Sequence, residues 1–379
     1  MIEAKIIAHS SDNRGNEVIT FVVTYPRIVL AEVLTHRMFS RNTASSRAIP
    51  FEKMVESILT NPFIPIAWQK DHKGMQGTKY FDSTETFELE YFIEALDKIF
   101  KKHSEFKALM LKVLPNVIGQ KKTLSQWWLY ARDRVVESAC ILYAFGATKQ
   151  LCNRLLEPFM YVTQIITTSK EGLDNFFDLR CPKILHEADG KYYKSIKDWN
   201  KVDLDIQYYG LSCLHPGNKG QAEIHLMDLA EKMWDCYTES TPKMLDENQW
   251  HIPFEDKIDL THYSNPSKDL LSSVKVKLAV VNCARVSYTT IGEDKKQDYQ
   301  KDLELFDKLL SSKHFSPFEH CCKVMSKEEY NTNVKGYYPE YLDSTAFDSF
   351  SLDTEGTLGW AHNLKGFMSY RFLLENGNI

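Results

Sequence analysis

Alternating apolar and polar residues near the N-terminus predict a β-hairpin. Apolar side chains alternate with polar ones at Ile2, Ala4, Ile6 and Ala8. Residues 12–16 are rich in Asp, Asn and Gly, which favour a turn, and residues 18–23 form a second apolar stretch. A helix is predicted next, starting near Pro26, because one apolar stripe then recurs with helical spacing. The stripe consists of Val29, Leu30, Val33, Leu34 and Met38.

Helical spacing dominates the remainder of the chain. The segments with that spacing are 51–59, 87–102, 106–114, 125–166, 173–179, 222–234 and 303–310. Within 125–166, which we predict to be strongly helical, Gly146 is expected to end one helix and Thr148 to start another. The polar residues 239–270 contain three prolines and are predicted to form a linker or a long connection. A strand is predicted after His320, and an acidic loop at 343–354.

Composition describes an ordinary globular chain and argues against several classes of function. The 379 residues are 43% hydrophobic and 26% charged, with a formal net charge of −5. That balance does not suggest a nucleic-acid binder, so a positive site must be local. No apolar run is long enough for a transmembrane helix, and the N-terminus is typical of a strand rather than of a signal peptide. Eight cysteines without a Cys-x-x-Cys pair predict reduced thiols and a cytoplasmic location.

Residues 35–47 carry the strongest candidate chemistry. They hold three arginines, one histidine, one asparagine and five hydroxyl side chains, but no carboxylate. We expect this segment to begin near a helix C-terminus and to continue as an exposed loop up to Pro50. Arginine and hydroxyl groups together suit a phosphate, because the guanidinium forms paired charged hydrogen bonds. A solvated basic loop or a weak RNA contact is the alternative.

The spacing within this segment resembles the signature of the flavin-dependent thymidylate synthases, the ThyX family. That signature is Arg-His-Arg, seven residues and Ser, with Asn before the Ser and Arg after it. His36, Arg37, Asn42, Ser45 and Arg47 stand at the matching positions.

The match has departures that affect the expected ligands. Thr35 replaces the first Arg of the signature, Thr43 replaces the usual Glu, and Ser46 replaces the usual Gly. Glu32 stands where the family usually has a Gln that helps to place the nucleotide. An ionised Glu accepts hydrogen bonds but cannot donate them, so this departure changes what the site can bind.

Two motifs in the middle of the chain extend the resemblance. Residues 153–158, around Arg154, resemble the family's Ala-Arg-x-x-Leu-Pro element, whose Arg binds the nucleotide phosphate. Residues 175–180 resemble Asn-Phe-x-x-Leu-Arg, which implies a flavin contact for Asn175 and a pyrimidine contact for Arg180. From chemistry alone, Arg154 suits a snorkelling or salt-bridged core residue better than an anion ligand. Asn175 alone suits a helix surface, and Arg180 alone suits a helix C-terminus.

Two further motifs occur late in the chain, although the family has them before the Arg-His-Arg motif. Residues 284–288 resemble the family's Ala-Arg-Val-Ser-Tyr element, and residues 314–320 resemble His-x-Ser/Thr-Pro-Phe-Glu-His. Residues 359–371 resemble a second, diverged copy of the strand–helix run that leads to His36. The motif order is therefore permuted or the fold is duplicated, which folds tolerate when their termini lie close together.

The resemblance implies an α+β fold, with a twisted antiparallel sheet flanked by long helices. It implies a nucleotide- and flavin-binding domain at 1–240 with an insertion at about 51–125, a linker at 241–270 and a second segment at 271–379. The implied reaction is reductive methylation of dUMP at uracil C5 to dTMP. FAD is the implied cofactor, NADPH and methylenetetrahydrofolate are the implied co-substrates, and the implied assembly is a homotetramer, or a dimer for a duplicated chain.

The resemblance also implies a role for each matching residue. The expected catalytic residues are His36 and Arg180. The expected substrate-binding residues are Glu32, Ser45, Ser46, Arg47, Arg154 and Arg180. The expected flavin-binding residues are His36, Arg37, Asn42, Asn175, Ser287, His314, Ser316 and Glu319.

Several other functions stay open at this point. A related pyrimidine reaction would hydroxymethylate C5 or methylate another deoxynucleotide such as dCMP. A paralogue that binds nucleotide without catalysis would hold no flavin, and a single-stranded RNA binder would show steep salt dependence. A metal site at His314, His320, Cys321 and Cys322 is less favoured, because adjacent cysteines rarely ligate one tetrahedral ion. We expect neither a nucleic-acid nor a membrane partner.

Overall fold

The structure is a computed structural model that describes residues 1–73, 77, 79–88, 94, 119–220, 222–260, 268–286, 298–333 and 357–378. The chain divides into two compact units: Met1–Pro50 with Tyr161–Ile379, and Phe51–Met160. The domain boundaries near 240 and 270 stay a prediction, since these units divide after residues 50 and 160. Several predictions lie outside the described residues: Ser287, the helix at 106–114, most of the helix at 87–102 and the loop at 343–354.

The described residues form both strands and helices, and the strand pairs are mostly antiparallel, which confirms a mixed α+β protein. The described strands are β1 (Glu3–Ser11), β2 (Glu17–Pro26), β3 (Ser40–Thr43), β4 (Thr86–Glu88), β5 (Lys121–Thr123), β6 (Tyr161–Ser169), β7 (Ile184–His186), β8 (Lys191–Tyr193), β9 (Lys243–Met244), β10 (Trp250–His251), β11 (Cys322–Val324), β12 (Trp360–Ala361), β13 (Leu364–Lys365) and β14 (Phe367–Ser369). The described α-helices are α1 (Leu30–Leu34), α2 (Phe51–Thr60), α3 (Leu124–Ala144), α4 (Lys149–Leu156), α5 (Lys170–Arg180), α6 (Ile196–Trp199), α7 (Ile224–Glu239), α8 (Lys268–Arg285), α9 (Tyr299–Ser311), α10 (Lys327–Thr332) and α11 (Tyr370–Glu375).

A five-stranded sheet in the order β3-β6-β2-β1-β9 organises the first unit. Its pairs are antiparallel except for β1 and β9, which run parallel. The predicted hairpin of β1 and β2 is confirmed. Its turn is closed by the Asp12 carboxylate, which accepts hydrogen bonds from the backbone N–H groups of Arg14 and Asn16, both at 2.9 Å. Gly15 has a φ of +81°, a conformation that favours glycine.

The second central strand, β6, corrects the helix predicted up to residue 166. It pairs with β2 from Val18↔Ser169 to Pro26↔Tyr161, and with β3 on its other side. Residues 162–168 are mostly β-branched, which favours a pleated strand. A strand buried on both faces lacks alternation, so its apolar run has no period that separates it from a buried helix.

Two predicted irregular segments also contain strands. Part of the expected loop at 35–47 forms β3, in which Ser40 pairs with Thr167 and Thr43 with Gln164. The segment 239–270, predicted to be a linker or a long connection, contains the two-residue strands β9 and β10. Its prolines do not prevent these short strands, because Pro242 precedes β9 and Pro253 follows β10.

The two faces of the sheet differ in chemistry. On one face, Phe21 and Val23 of β2 share an apolar core with Phe176 and Phe177 of α5 and with Leu229 of α7. The other face carries buried threonines, among them Thr20 and Thr167. A second apolar core joins α8 and α9 through residues that include Phe306, Phe318 and Tyr370.

The second unit contains α2, α3 and α4, and its predicted helix ends are confirmed. Gly146, with a φ of +88°, follows the C-terminal end of α3, and Thr148 is the N-cap residue of α4. Trp128 donates a hydrogen bond from Nε1 to the carbonyl of Phe63 at 2.8 Å, and its ring packs edge-on against Phe159. No helix among the described residues is long and apolar enough to cross a bilayer. All eight cysteines lie in the described part and are free thiols.

Candidate active site

His36 lies in the short loop between α1 and β3, with its ring buried. Its backbone N–H donates to the carbonyl of Val33 at 3.3 Å, and its own carbonyl accepts from Phe39 N–H at 3.1 Å. The edge of the ring meets Phe176 at 4.8 Å between centroids, and Phe39 lies at 5.7 Å. The loop therefore carries the imidazole into the apolar core that α5 forms with the sheet.

Arg180, the last residue of α5, completes what we call the arginine–histidine pair. Its Nε donates to Nε2 of His36 at 2.9 Å, so Nε2 is the acceptor and Nδ1 carries the proton of a neutral ring. Burial, together with the positive charges of Arg180 and Arg41, lowers the pKa of His36 to about 4. Nη2 of Arg180 reaches Oγ1 of Thr35 at 3.5 Å. The result is a neutral histidine that orients a half-exposed guanidinium.

Arg41 of β3 holds the loop from the opposite side. Its Nη1 donates to the carbonyl of Val33 at 3.2 Å and to that of His36 at 3.5 Å. Burial lowers the pKa of Arg41, while the charges of Tyr25 and Glu319 oppose that shift. Glu319 in turn pairs with Nη1 of Arg371 at 2.5 Å. Carboxylate and guanidinium groups from distant parts of the sequence thus balance one another beside β3.

Asn42 joins β3 to one late motif and to the residue that precedes the other. Its Nδ2 donates to the carbonyl of Cys283, near the end of α8, at 2.6 Å. Its Oδ1 accepts a long hydrogen bond of 3.5 Å from Oγ of Ser316. Ser316 begins the 3₁₀-helical turn Ser316–Glu319 of the Ser-Pro-Phe-Glu-His motif. One buried amide therefore brings together the early signature and segments that follow it by more than 200 residues.

Behind this turn runs a group that sequence reasoning did not identify, which we call the threonine–histidine chain. It consists of Ser10, His251, Thr20, Thr167 and His320, all buried. The links are Ser10 Oγ to His251 Nδ1 at 2.9 Å, His251 Nε2 to Thr20 Oγ1 at 2.8 Å, Thr20 Oγ1 to Thr167 Oγ1 at 2.7 Å, and Thr167 Oγ1 to His320 Nδ1 at 2.8 Å.

Burial keeps both histidines of this chain neutral. It lowers the pKa of His251 and that of His320 to about 3. The buried Nε2 of His320 has no hydrogen-bond partner among the described residues. The threonines of β2 and β6 are a sequence signal from which a buried polar layer could have been predicted, whereas no sequence signal points to His251.

The other predicted site residues are distributed as follows. Arg37, Arg47, Asn175 and His314 are exposed, Ser45 and Glu319 are half-buried, and Ser46 is buried. Among the residues that the structure describes, the side chains of Arg37 and Arg47 form no hydrogen bond or ion pair. Arg154 is exposed on α4, in the second unit. The ligand-binding roles of these residues stay predictions.

Glu32 differs from these residues because it is half-buried. Its Oε2 is buried and has no hydrogen-bond partner among the residues that the structure describes. A buried carboxylate oxygen without a donor is costly, since it loses water without replacing it. Glu32 therefore carries an unpaired acceptor within the described part of the chain.

Comparison with known proteins gives a limited likeness. No protein-family model matches the chain, and no curated protein matches it. A structure of the UMP/dUMP methylase PolB from Streptomyces cacaoi with 5-Br dUMP is 13% identical, with a TM-score of 0.30, over 60% of this chain and 67% of that chain. The same methylase with 5-Br UMP is 14% identical, with a TM-score of 0.31, over 60% and 70%. These values are below the level at which a shared fold is inferred.

Proposed function

We propose that this chain is a flavin-dependent enzyme that methylates dUMP at uracil C5, with methylenetetrahydrofolate as carbon donor and NADPH as reductant. The observation that carries the proposal is the bridge made by Asn42. It links β3 to Cys283 and Ser316, so motifs in permuted sequence order meet within one unit of one chain. Chance matches to short motifs have no reason to converge in this way.

The predicted flavin-binding residues fit FAD in their chemistry. Its diphosphate needs cations, and the exposed guanidinium of Arg37 has no protein partner among the described residues. Its ring needs polar groups at its edge, which Asn175 and His314 offer from exposed positions. Ser316 and Glu319 are engaged by Asn42 and Arg371, so we assign them to shaping the flavin site as well as lining it. Bound flavin supplies the hydride and the carrier for the one-carbon unit.

The protein's own part in the reaction centres on the arginine–histidine pair. Arg180 is held by His36 through Nε and contacts Thr35 weakly through Nη2, which leaves Nη1 to act on a pyrimidine carbonyl. Negative charge that develops on that carbonyl is stabilised by a guanidinium whose orientation is already fixed. Because His36 stays neutral at physiological pH, it accepts the Nε hydrogen without adding a competing positive charge. Arg47 and Ser45 are assigned to the nucleotide phosphate.

Methylation of dCMP is the second candidate, and Glu32 favours it. The unpartnered Oε2 is an acceptor that suits the exocyclic amino group of cytosine, which uracil lacks. A family-like Gln would offer both a donor and an acceptor. Assay of product from dUMP and dCMP in parallel separates the two candidates.

The test is release of tritium from C5-labelled nucleotide with FAD, NADPH and methylenetetrahydrofolate. We expect tritium release from C5-labelled dUMP, and this release should require both the reductant and added flavin. Release from labelled dCMP alone would favour the second candidate. Absence of release from either nucleotide, in protein that is folded by circular dichroism, would contradict the assignment as a C5-modifying enzyme.

A further inference from the structure

The hairpin near the C-terminus contacts both segments that supply the arginine–histidine pair. Its strands β12 and β13 are antiparallel and joined by two residues, His362 and Asn363. His362 has a φ of +54°, a conformation uncommon outside glycine. Trp360, Ala361 and Leu364 are buried, so the hairpin is anchored in the protein while its tip is left for other contacts.

Asn363, at that tip, holds the loop that carries His36. Its Nδ2 donates to the carbonyl of Met38 at 2.7 Å and lies 3.0 Å from Oγ of Ser40. Oγ of Ser40 also lies 3.5 Å from Oδ1 of Asn363. The amide therefore fixes the residues two and four positions after His36, where the loop enters β3.

The same hairpin also reaches α5, which carries Arg180. Nζ of Lys365 lies 3.7 Å from the Glu171 carboxylate in the first turn of that helix. The loop and the helix are packed closely here: a Cβ added to Gly172 would lie 3.0 Å from Cβ of Met38. Met38 thus sits between the Asn363 amide and the start of α5, so a shift of the loop would alter how His36 meets Arg180.

We propose that Asn363 is a positioning residue that fixes His36 against Arg180 through the backbone of Met38 and the hydroxyl of Ser40. It acts on the protein loop rather than on the substrate. Its effect on turnover rests on the proposed function, whereas its effect on His36 does not. The C-terminal hairpin thereby becomes part of the active-site framework, although it is more than 300 residues from His36 in sequence.

The test compares Asn363→Leu, which keeps similar volume without a donor, with Ser40→Ala, which removes only one of the two contacts. Asn376→Ala is the matched control, since the Asn376 side-chain amide is exposed and, within the described ranges, donates only to the carbonyl of Phe372 in α11. The readout is the His36 pKa from NMR of histidine-labelled protein, assigned with His36→Gln. Thermal unfolding is measured in parallel.

We expect Asn363→Leu to raise the His36 pKa by about 1 unit or more, because a loosened loop lets water reach the ring. Ser40→Ala should give a smaller rise, and Asn376→Ala none. C5 tritium release should fall by about 10- to 100-fold in Asn363→Leu, since a small misplacement of a catalytic group is costly. If Asn363→Leu does not fold, the change in the His36 pKa of Ser40→Ala tests the proposal instead.

An unchanged His36 pKa in folded Asn363→Leu, or in Ser40→Ala when the former does not fold, would overturn the proposal. If the parent protein shows no C5 activity but Asn363→Leu still shifts the His36 pKa, the positioning role is supported and the proposed function is contradicted. If Asn363→Leu keeps normal C5 activity and an unchanged His36 pKa, the proposed function is supported and the positioning role is contradicted.

Discussion

The arginine–histidine pair and the threonine–histidine chain both contain neutral, buried histidines, yet they differ in what surrounds them. His36 faces a guanidinium that is half-exposed and can act on a ligand. His251 and His320 face neutral hydroxyl groups within a closed layer. A lowered histidine pKa therefore does not identify an active site by itself. A reactive histidine is distinguished from a structural one by a charged group beside the ring and by the access of that group to solvent.

The comparison also separates function from stability. The pair lies at the end of α5 and in a loop, so its loss should affect chemistry more than folding. The threonine–histidine chain joins β1, β2, β6 and β10 to the turn Ser316–Glu319, so its loss should affect folding more than chemistry. Each of the following changes tests one side of that division.

Removal of the guanidinium in Arg180→Ala should have the largest effect. We expect C5 turnover to fall by about 10²- to 10³-fold, because a preorganised cation no longer faces the developing charge. The unfolding free energy should change by less than about 1 kcal/mol, as for other partly exposed charges. Arg134→Ala, which removes an exposed arginine paired with Glu137, is the control. A large loss of stability with normal turnover would reverse the assignment of the two regions.

Thr167→Val should have the next largest effect, this time on stability. The change keeps the shape of the side chain but removes hydrogen bonds to Thr20 and His320, leaving buried polar atoms without partners. We expect a loss of about 2–3 kcal/mol in urea unfolding. Thr163→Val is the control on the same strand, because Thr163 is half-buried and its hydroxyl, among the described residues, bonds to the Thr24 hydroxyl alone, at 3.1 Å. Equal losses in both variants would refute a special role for the chain.

Acid should weaken the protein through the neutral histidines. Their pKa values are about 3 for His251 and His320 and about 4 for His36 when folded, but about 6.5 when unfolded. The unfolded state therefore binds more protons between these values, and the free energy of unfolding falls as pH drops from about 6.5 towards 3.

The pH dependence of the unfolding free energy tests one member of the threonine–histidine chain, His320. Each neutral histidine contributes about 1.4 kcal/mol per pH unit in that window. His320→Asn keeps a hydrogen-bonding atom near the position of Nδ1 but cannot take up this proton. Urea unfolding between pH 6 and 4.5 should therefore show a flatter dependence for His320→Asn than for the parent. Identical slopes would mean that His320 does not contribute through its ionisation.

Ser316→Ala should have the smallest effect. Its hydroxyl is bonded to Asn42 at 3.5 Å, which is near the limit for a hydrogen bond. We expect flavin affinity to weaken by about 3- to 10-fold, equivalent to one modest hydrogen bond. Fluorescence titration of FAD measures the change, with the exposed Ser311→Ala as control. A loss of 100-fold or more, roughly 3 kcal/mol, would show that Ser316 contacts the cofactor more directly than we infer.

Local chemistry predicted the elements whose ends carry strong signals. The turn at Asp12–Asn16, the break at Gly146 and the start at Thr148 were correct because Gly, Asp and Thr act within a few residues. Strand β6 was mistaken for a helix because both of its faces are covered, which removes the alternation that marks a strand. Strand β3 was missed because its pairing with β6 depends on residues more than 100 positions away.

The candidate site was predicted residue by residue but not as an arrangement. Motif matching selected His36 and Arg180, and the structure places them 2.9 Å apart, although their roles in catalysis stay a prediction. It could not reveal that Asn42 bridges to Cys283 and Ser316, since that contact depends on tertiary packing. Asn363 lies in the 359–371 resemblance, which assigned it no role, and only the placement of its hairpin beside Met38 gives it one.

The most direct test of the account is flavin uptake by the purified protein. Added FAD should stay with the protein through gel filtration in a fixed ratio, and its fluorescence should change on binding. Asn42→Ala, which breaks the bridge between β3 and the turn Ser316–Glu319, should lose most of that uptake while remaining folded. A parent protein that retains no flavin, with no change in flavin fluorescence, would contradict the claim that the permuted motifs form one flavin site.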